Sequence, residues 1–102
     1  MKGDGVALNG RQRRRLRALG HHLSPVVQVG QQGMTPGVVS ALEVALGDHE
    51  LVKVKISADA PEGRHEAAEA LAKETGAEVA QVLGRTALLF RKRAEDSKFE
   101  DL

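Results

Sequence analysis

The chain has 102 residues, the length of one ordinary domain, and its 41% apolar and 28% charged residues are typical of a soluble globular protein. The absence of cysteine excludes disulfides, thiolate metal sites and a cysteine nucleophile, and no apolar run is long enough to span a bilayer or form a signal peptide, so we expect a cytoplasmic protein. The formal net charge of +1, from 15 basic and 14 acidic residues, argues at first sight against a strongly basic nucleic-acid binder.

The first half of the chain predicts a helix, a strand, a loop and a second helix. Asn9 is a good N-cap for a first helix that runs to about Gly20, and Gln12, Leu16, Leu19 and Leu23 fall on one stripe at helical spacing. A short β-branched strand follows at residues 26–29, and then a tight loop at residues 30–33. Thr35 followed by Pro36 predicts the start of a second helix, and Gly47 its end.

The second half predicts a strand, a third helix and a terminal hairpin. Residues 51–56 alternate as in a strand with one buried face, and Asp59 and Pro61 are expected to open a helix that Gly76 closes. Strands at residues 78–83 and 86–91 are joined by a two-residue turn. The order α-β-α-β-α-β-β predicts an α/β domain over residues 9–93, a mixed four-stranded sheet with three helices. Residues 1–8 are expected to be a flexible leader and residues 94–102 a frayed, flexible acidic tail.

The first helix carries a dense run of positive charge. Five arginines lie within seven residues without an acid among them: Arg11, Arg13, Arg14, Arg15 and Arg17. A solvated helix face ordinarily mixes signs, because like charges at this spacing repel one another by a few tenths of a kcal/mol per pair. The run therefore indicates an anionic partner, which is RNA, DNA or an acidic surface.

The net charge of +1 conceals this uneven distribution. Residues 1–42 have a net charge of +5, residues 43–93 a net charge of −1 and residues 94–102 a net charge of −3. An acidic tail of this kind is expected to compete with RNA for the arginines.

The loop formed by Gly30, Gln31, Gln32 and Gly33 lies between a predicted strand and a helix N-terminus. Its glycines allow a backbone to come close, and free N–H groups at the start of a helix favour an anion, so the loop is a candidate phosphate site. A plain connecting turn explains the same residues. The loop lacks the Gly-Lys-Ser/Thr ending of a nucleotide-binding P-loop, which argues against ATP or GTP.

Further basic residues and four histidines complete the set of candidates. Lys53 and Lys55 share one strand face and Arg85 lies in the hairpin turn; they either extend a basic surface or protect an exposed strand.

The histidines (His21, His22, His49 and His65) have no metal-binding or catalytic spacing, and we interpret them as capping, packing or phosphate-contacting groups. The corner at His49, Glu50 and Leu51 is expected to be held by hydrogen bonds. Phe90 alternates with Leu88 and is expected to face the core.

Several motifs in order resemble the CRM domain, the chloroplast RNA splicing and ribosome maturation domain, in its stand-alone bacterial YhbY-like form. They are residues 16–33 (LRALGHHLSPVVQVGQQG), 49–55 (HELVKVK), 74–77 (ETGA) and 84–91 (GRTALLFR). The resemblance covers about residues 9–93. It implies a fold similar to the C-terminal domain of translation initiation factor three and an RNA-binding protein without enzymatic activity. Many relatives have a lysine where this chain has Gln31 and Gln32, which leaves the loop without its own cation.

The resemblance implies a partner: ribosomal RNA in precursors of the large ribosomal subunit, whose assembly the protein would assist. The RNA-binding residues would then be the five arginines, the loop residues 30–33, Lys53, Lys55 and Arg85. We expect a monomer with no cofactor, no metal, no small-molecule substrate and no membrane association. The alternative is a protein-interaction module that docks an acidic ribosomal protein or assembly factor. A third alternative, a small hydrolase or phosphotransferase, is not supported, because the sequence contains no clustered acid–base pair.

Overall fold

The computed structural model describes residues 8–102, and the predicted leader, except Leu8, lies outside the described residues. The element order confirms the predicted α/β class and the succession of helices and strands. The elements are α1 (Gly10–Gly20), β1 (Val27–Val29), α2 (Pro36–His49), β2 (Leu51–Ile56), α3 (Arg64–Thr75), β3 (Glu78–Leu83) and β4 (Thr86–Phe90).

The strands form one mixed sheet in the order β1-β2-β4-β3. β1 pairs with β2 in parallel, as a crossover through α2 requires, while β4 pairs antiparallel with both β2 and β3. A bulge between Val79 and Gln81 interrupts the β3–β4 ladder. The mixed sheet is as predicted, and β2 and β4 form a second antiparallel pair beside the hairpin.

The two faces of the sheet are covered by different parts of the chain. The larger core lies under α2 and α3, where Leu42, Leu46 and Leu71 pack against Val52 and Val54. A second cluster on the other face joins Leu16 of α1 to residues of three strands and of the C-terminal segment: Leu51, Ala80, Leu88, Phe90 and Phe99. Phe90 is buried as predicted, at 4% exposure.

Local capping explains the starts of α1 and α2, both of which confirm the sequence prediction. The Asn9 side chain accepts a 2.8 Å hydrogen bond from the Gln12 N–H, and the Gln12 side chain accepts a 2.9 Å bond from the Asn9 N–H. At α2 the Thr35 hydroxyl accepts from the N–H of Val38, and Pro36 occupies the first turn.

Two predicted helix boundaries were wrong. α2 does not end at Gly47 but continues to His49, because the residue with a left-handed backbone, φ 66°, is Glu50. α3 does not open at Asp59 and Pro61 but at Arg64, after Gly63. Ser57 accounts for this shift, since its hydroxyl accepts from the N–H of Asp59 and its carbonyl from the N–H of Ala60, which closes a turn before the helix.

The C-terminal segment, residues 93–102, packs against the domain, whereas the sequence predicted a frayed tail over residues 94–102. Phe99 is 8% exposed and packs edge-on against Phe90, with 5.1 Å between ring centroids. The Gln12 side chain donates a 2.8 Å hydrogen bond to the carbonyl of Leu102. The segment therefore lies beside α1, and the sequence signal for it was an aromatic residue in an otherwise acidic stretch.

Glu50 anchors this segment with a fully buried carboxylate. It accepts hydrogen bonds of 2.8 Å from the Arg93 N–H, 2.6 Å from the Ser97 hydroxyl and 2.8 Å from the Lys98 N–H. Burial raises the pKa of Glu50, but these hydrogen bonds and the Arg93 charge outweigh it, so the pKa lies below its ordinary value. The expectation that hydrogen bonds hold this corner is confirmed at Glu50, while His49 is exposed.

Candidate nucleic-acid interface

Two of the five α1 arginines have side-chain partners, and the other three have none among residues 8–102. Arg13 donates a 2.6 Å hydrogen bond to the carbonyl of Val79, beside the bulge of the edge strand β3. Arg15 pairs with Asp101 at 3.0 Å, and this contact lowers the pKa of the Asp101 carboxyl below its ordinary value. Within residues 8–102, Arg11, Arg14 and Arg17 make no side-chain hydrogen bond or ion pair. These three side chains are thus available to an external anion.

The sheet face beneath α1 is only partly covered by the helix. Gly20, the last residue of α1, packs directly against Leu88, and no helix continues beyond it. One residue from each strand forms the next row across the sheet, in register: Gln28, Lys55, Thr86 and Leu83. We call these four residues the open sheet face. Lys55 and Gln28 are exposed, and Leu83 is 58% exposed although it is a large apolar residue.

The loop at residues 30–33 borders this open sheet face but does not form an evident anion cradle. The Gly33 N–H is already donated to the carbonyl of Gly30 at 3.0 Å, and Gly33 has a left-handed φ of 76°. The Glu62 carboxylate lies against Gly33, where a Cβ would come within 2.8 Å of its Oε1 atom. Gln31 and Gln32 are exposed, so the loop presents neutral amides beside a carboxylate.

Hydrogen bonds place this loop, Arg85 and the end of β2 at the same end of the sheet. The Ile56 N–H donates to the Arg85 carbonyl and the Ser57 N–H to the Val29 carbonyl, each at 2.8 Å. Arg13 contacts β3 near the opposite end. The strand rise of about 3.3 Å per residue puts the two ends of β2 about 17 Å apart. The structure therefore brings Lys55 and Arg85 to the loop, places Arg13 near the opposite end of the sheet, and leaves Lys53 between them.

The histidines do not gather into a chemical site. His21 and His22 are exposed after α1, with ring centroids 6.0 Å apart, and His49 and His65 are exposed on other elements. In the part of the chain that the structure describes, no cluster of three or more histidine, aspartate or glutamate side chains is arranged to hold a metal ion. None of the described helices is both long and apolar enough to cross a membrane.

Sequence reasoning missed three members of this surface: Gln28, Leu83 and Thr86. Gln28 and Thr86 belong to predicted strands, but their shared row depends on the strand order, which no local pattern reveals. The available signal was Leu83, an apolar residue at the very end of its strand. Leu19 and Leu23, expected on the core-facing stripe of the first helix, are 42% and 38% exposed.

This fold and surface define a small α/β domain with a basic helix over a half-covered sheet, and comparison with known proteins gives its family. The model of the CRS1 / YhbY (CRM) domain matches residues 8–91. The chain belongs to this family, which confirms the resemblance seen in the sequence.

Individual relatives agree over nearly the whole chain. A Pseudomonas aeruginosa protein named as a probable RNA-binding protein is 37% identical, over 91% of this chain and 89% of its own. A Haemophilus influenzae protein named as an RNA-binding protein is 38% identical, over 93% and 95% of the two chains. The solution structure of a Staphylococcus aureus protein is similar with a TM-score of 0.77 and 31% identity, covering 88% of this chain and 94% of the other. These matches confirm the fold; the similarity to translation initiation factor three stays a prediction.

Proposed function

We propose that the chain is a non-enzymatic RNA-binding protein that binds ribosomal RNA in large-subunit precursors and assists their assembly. The observation that carries the proposal is the arginine surface of α1, where Arg11, Arg14 and Arg17 have no partner within residues 8–102 and no acid occurs between residues 8 and 42. Relatives across the full domain are named as RNA-binding proteins. In this proposal the protein acts in the cytoplasm as a monomer and needs no cofactor.

The proposed contact is electrostatic and extends over two surfaces. The three available arginines bind phosphates near one end of the sheet, and Lys53, Lys55 and Arg85 continue the contact toward the other end. Gly30, Gln31, Gln32 and Gly33 border the RNA there, with the amides of Gln31 and Gln32 in place of a cation. Arg13 holds α1 against β3 through the Val79 carbonyl, and Arg15 joins the contact when it leaves Asp101.

Replacing Arg11, Arg14 and Arg17 together by Gln tests the arginine surface. Because each neutralised phosphate contributes about 0.7 to 0.9 to the slope of log affinity against log salt, the triple variant should bind ribosomal RNA more weakly, with a slope reduced by about 2 to 3. The control is Lys73→Gln, which removes one exposed charge from α3, on the opposite face of the sheet. An equal loss of affinity per removed charge in the two variants would contradict a specific role of α1.

Crosslinking in cells followed by sequencing of the attached RNA tests the proposed target. Reads concentrated on large-subunit ribosomal RNA, with the protein sedimenting among large-subunit precursors, are the expected result. Reads scattered over messenger RNA without a ribosomal peak would reject the assembly role while leaving RNA binding in place.

A second candidate is a protein-interaction module for an acidic partner. It is favoured by Arg15 and Asp101, because an acidic segment of the chain's own C-terminal part already lies against α1. Affinity capture from lysate with and without RNase distinguishes the two functions, since only the RNA-binding function predicts that ribosomal partners are lost after RNase.

A further inference from the structure

We infer that the open sheet face (Gln28, Lys55, Thr86 and Leu83) binds unpaired nucleotides, so that the RNA recognised is single-stranded or looped at this point rather than a continuous duplex. This inference rests on the proposed RNA binding and specifies the conformation of the RNA. Three features carry it: the size of the surface, the apolar residues at its borders and the arrangement of its polar groups.

The size follows from the strand order and from the connection after α1. Gly20 lies over Leu88 of β4, Leu88 pairs with Lys53 of β2, and the Lys53 carbonyl accepts a 3.0 Å hydrogen bond from the Val26 N–H. Residues 21–25 therefore pass over β2 and form one border of the open sheet face. The loop at residues 30–33 and Arg85 form the opposite border. With strands about 4.8 Å apart, the row of four residues is about 14 Å wide, enough for more than one nucleotide.

Exposed apolar side chains surround this row. Of the five large apolar residues that the described structure leaves exposed, Leu19, Leu23 and Val26 belong to α1 and the connection after it, and Leu83 is the end of the row. Val26 and Leu83 are 59% and 58% exposed. The faces of bases are apolar and are hidden in a duplex by stacking, so only unpaired bases offer a matching surface. The His21 and His22 rings and the planar Arg85 group can stack on such bases.

The polar groups of the row are arranged for both parts of a nucleotide. Lys55 lies at the centre, between Gln28 on one neighbouring strand and Thr86 on the other. Its ammonium group supplies one phosphate contact, and the Gln28 amide can donate to and accept from base edges. The Thr86 hydroxyl, which already donates a 2.9 Å hydrogen bond to the Leu83 carbonyl, can accept from them. This combination of one cation, two uncharged polar groups and apolar borders fits an unpaired strand better than the phosphate ridge of a duplex.

The test compares a short unstructured RNA with the same strand annealed to its complement, each labelled and titrated by fluorescence anisotropy at several salt concentrations. Val26→Ser combined with Leu83→Ser should weaken binding of the single strand at least about fivefold, the low end of the range for one base contact, and leave duplex binding within about twofold. The salt slope should not change, because no cation is removed. The matched control is Val44→Ser, an equally exposed valine on the outer side of α2, at 64% exposure.

The possible results separate this inference from the proposed function. Single-strand and duplex affinities reduced by the same factor, or single-strand affinity unchanged, would overturn it while RNA binding itself stands. Failure of the unaltered protein to bind either RNA would overturn both. Loss of a protein partner from lysate in the double variant, with both RNA affinities intact, would show that the surface binds protein instead. Because both replaced residues are exposed, thermal unfolding of the double variant should match that of the unaltered protein.

Discussion

The Ser97 hydroxyl donates a 2.6 Å hydrogen bond to the Glu50 carboxylate, and both groups are buried although 46 residues lie between them in the chain. This bond joins the end of α2 to the C-terminal segment, and with the two backbone N–H donors it compensates the buried charge. Glu50 thus fixes the C-terminal segment, which in turn contacts α1 through Phe99 and Leu102.

Glu50→Gln should lower the free energy of unfolding by about 3 kcal/mol, because a neutral amide accepts less strongly and its NH₂ group faces donors. Urea denaturation measures the change. Glu43→Gln is the control, since Glu43 forms a 2.8 Å ion pair with Arg91 at the surface, where such pairs contribute about 1 kcal/mol or less. Equal effects of the two substitutions would contradict an anchoring role of Glu50.

The same carboxylate predicts a dependence of stability on pH. The pKa of Glu50 is lowered by folding, so the unfolded chain binds the proton more readily than the folded protein. The stabilisation is fully present above the ordinary pKa of 4.5 and is lost as the pH falls through the lower, folded value. Unfolding free energy measured against pH should therefore fall more steeply below about pH 5 in the unaltered protein than in Glu50→Gln. Parallel curves would show that other acids dominate.

Asp101→Asn should strengthen RNA binding, because it releases Arg15 from its 3.0 Å ion pair. The salt slope should become steeper by about 0.7 to 0.9 as Arg15 takes up one further phosphate. Stability should hardly change, since the pair is exposed. Glu95→Gln removes one charge from the same segment and is the control. If Glu95→Gln raises the affinity as much as Asp101→Asn, only total charge matters and the direct competition is absent.

Gly20→Ala should destabilise the protein by about 1 to 3 kcal/mol, although alanine favours helices, because its Cβ would lie 2.5 Å from a Leu88 methyl carbon. Thermal or urea unfolding measures it. Gly47→Ala is a matched substitution in α2 with no atom within 4 Å of the added Cβ, and it should stabilise by about 0.5 to 1 kcal/mol. If Gly20→Ala instead stabilised the protein, α1 would have to move away from Leu88 without a cost in folding free energy.

The parts of the fold that the sequence predicts are those that depend on contacts between residues close together in the chain. Asn9 and Gln12 cap α1 through each other, and Thr35 caps α2 through Val38, so the sequence reveals both starts. The end of α2 depends instead on Glu50 meeting residues 93–98, and nothing near Gly47 signals this contact. The same holds for Phe99, whose partner Phe90 is reached only through the sheet.

The candidate site divides in the same way. The arginine run is visible in the sequence, but the separation of Arg13 and Arg15 from the three available arginines depends on Val79 and Asp101, which are distant along the chain. The row of Gln28, Lys55, Thr86 and Leu83 requires the order β1-β2-β4-β3, in which sequence neighbours are not always sheet neighbours.

The cluster that joins Leu16 to Phe99 also sets an order of events during synthesis. Residues 27–89 contain every buried residue of the α2–α3 core, but α1 gains its complete contact surface only after residues 97–102 follow. On a nascent chain α1 is therefore synthesised first but completes its packing against the domain last. A chain interrupted before Phe99 would lack the ring contact on Phe90 and the hydrogen bond from Gln12 to Leu102, so its most basic segment would lose two of its neighbours.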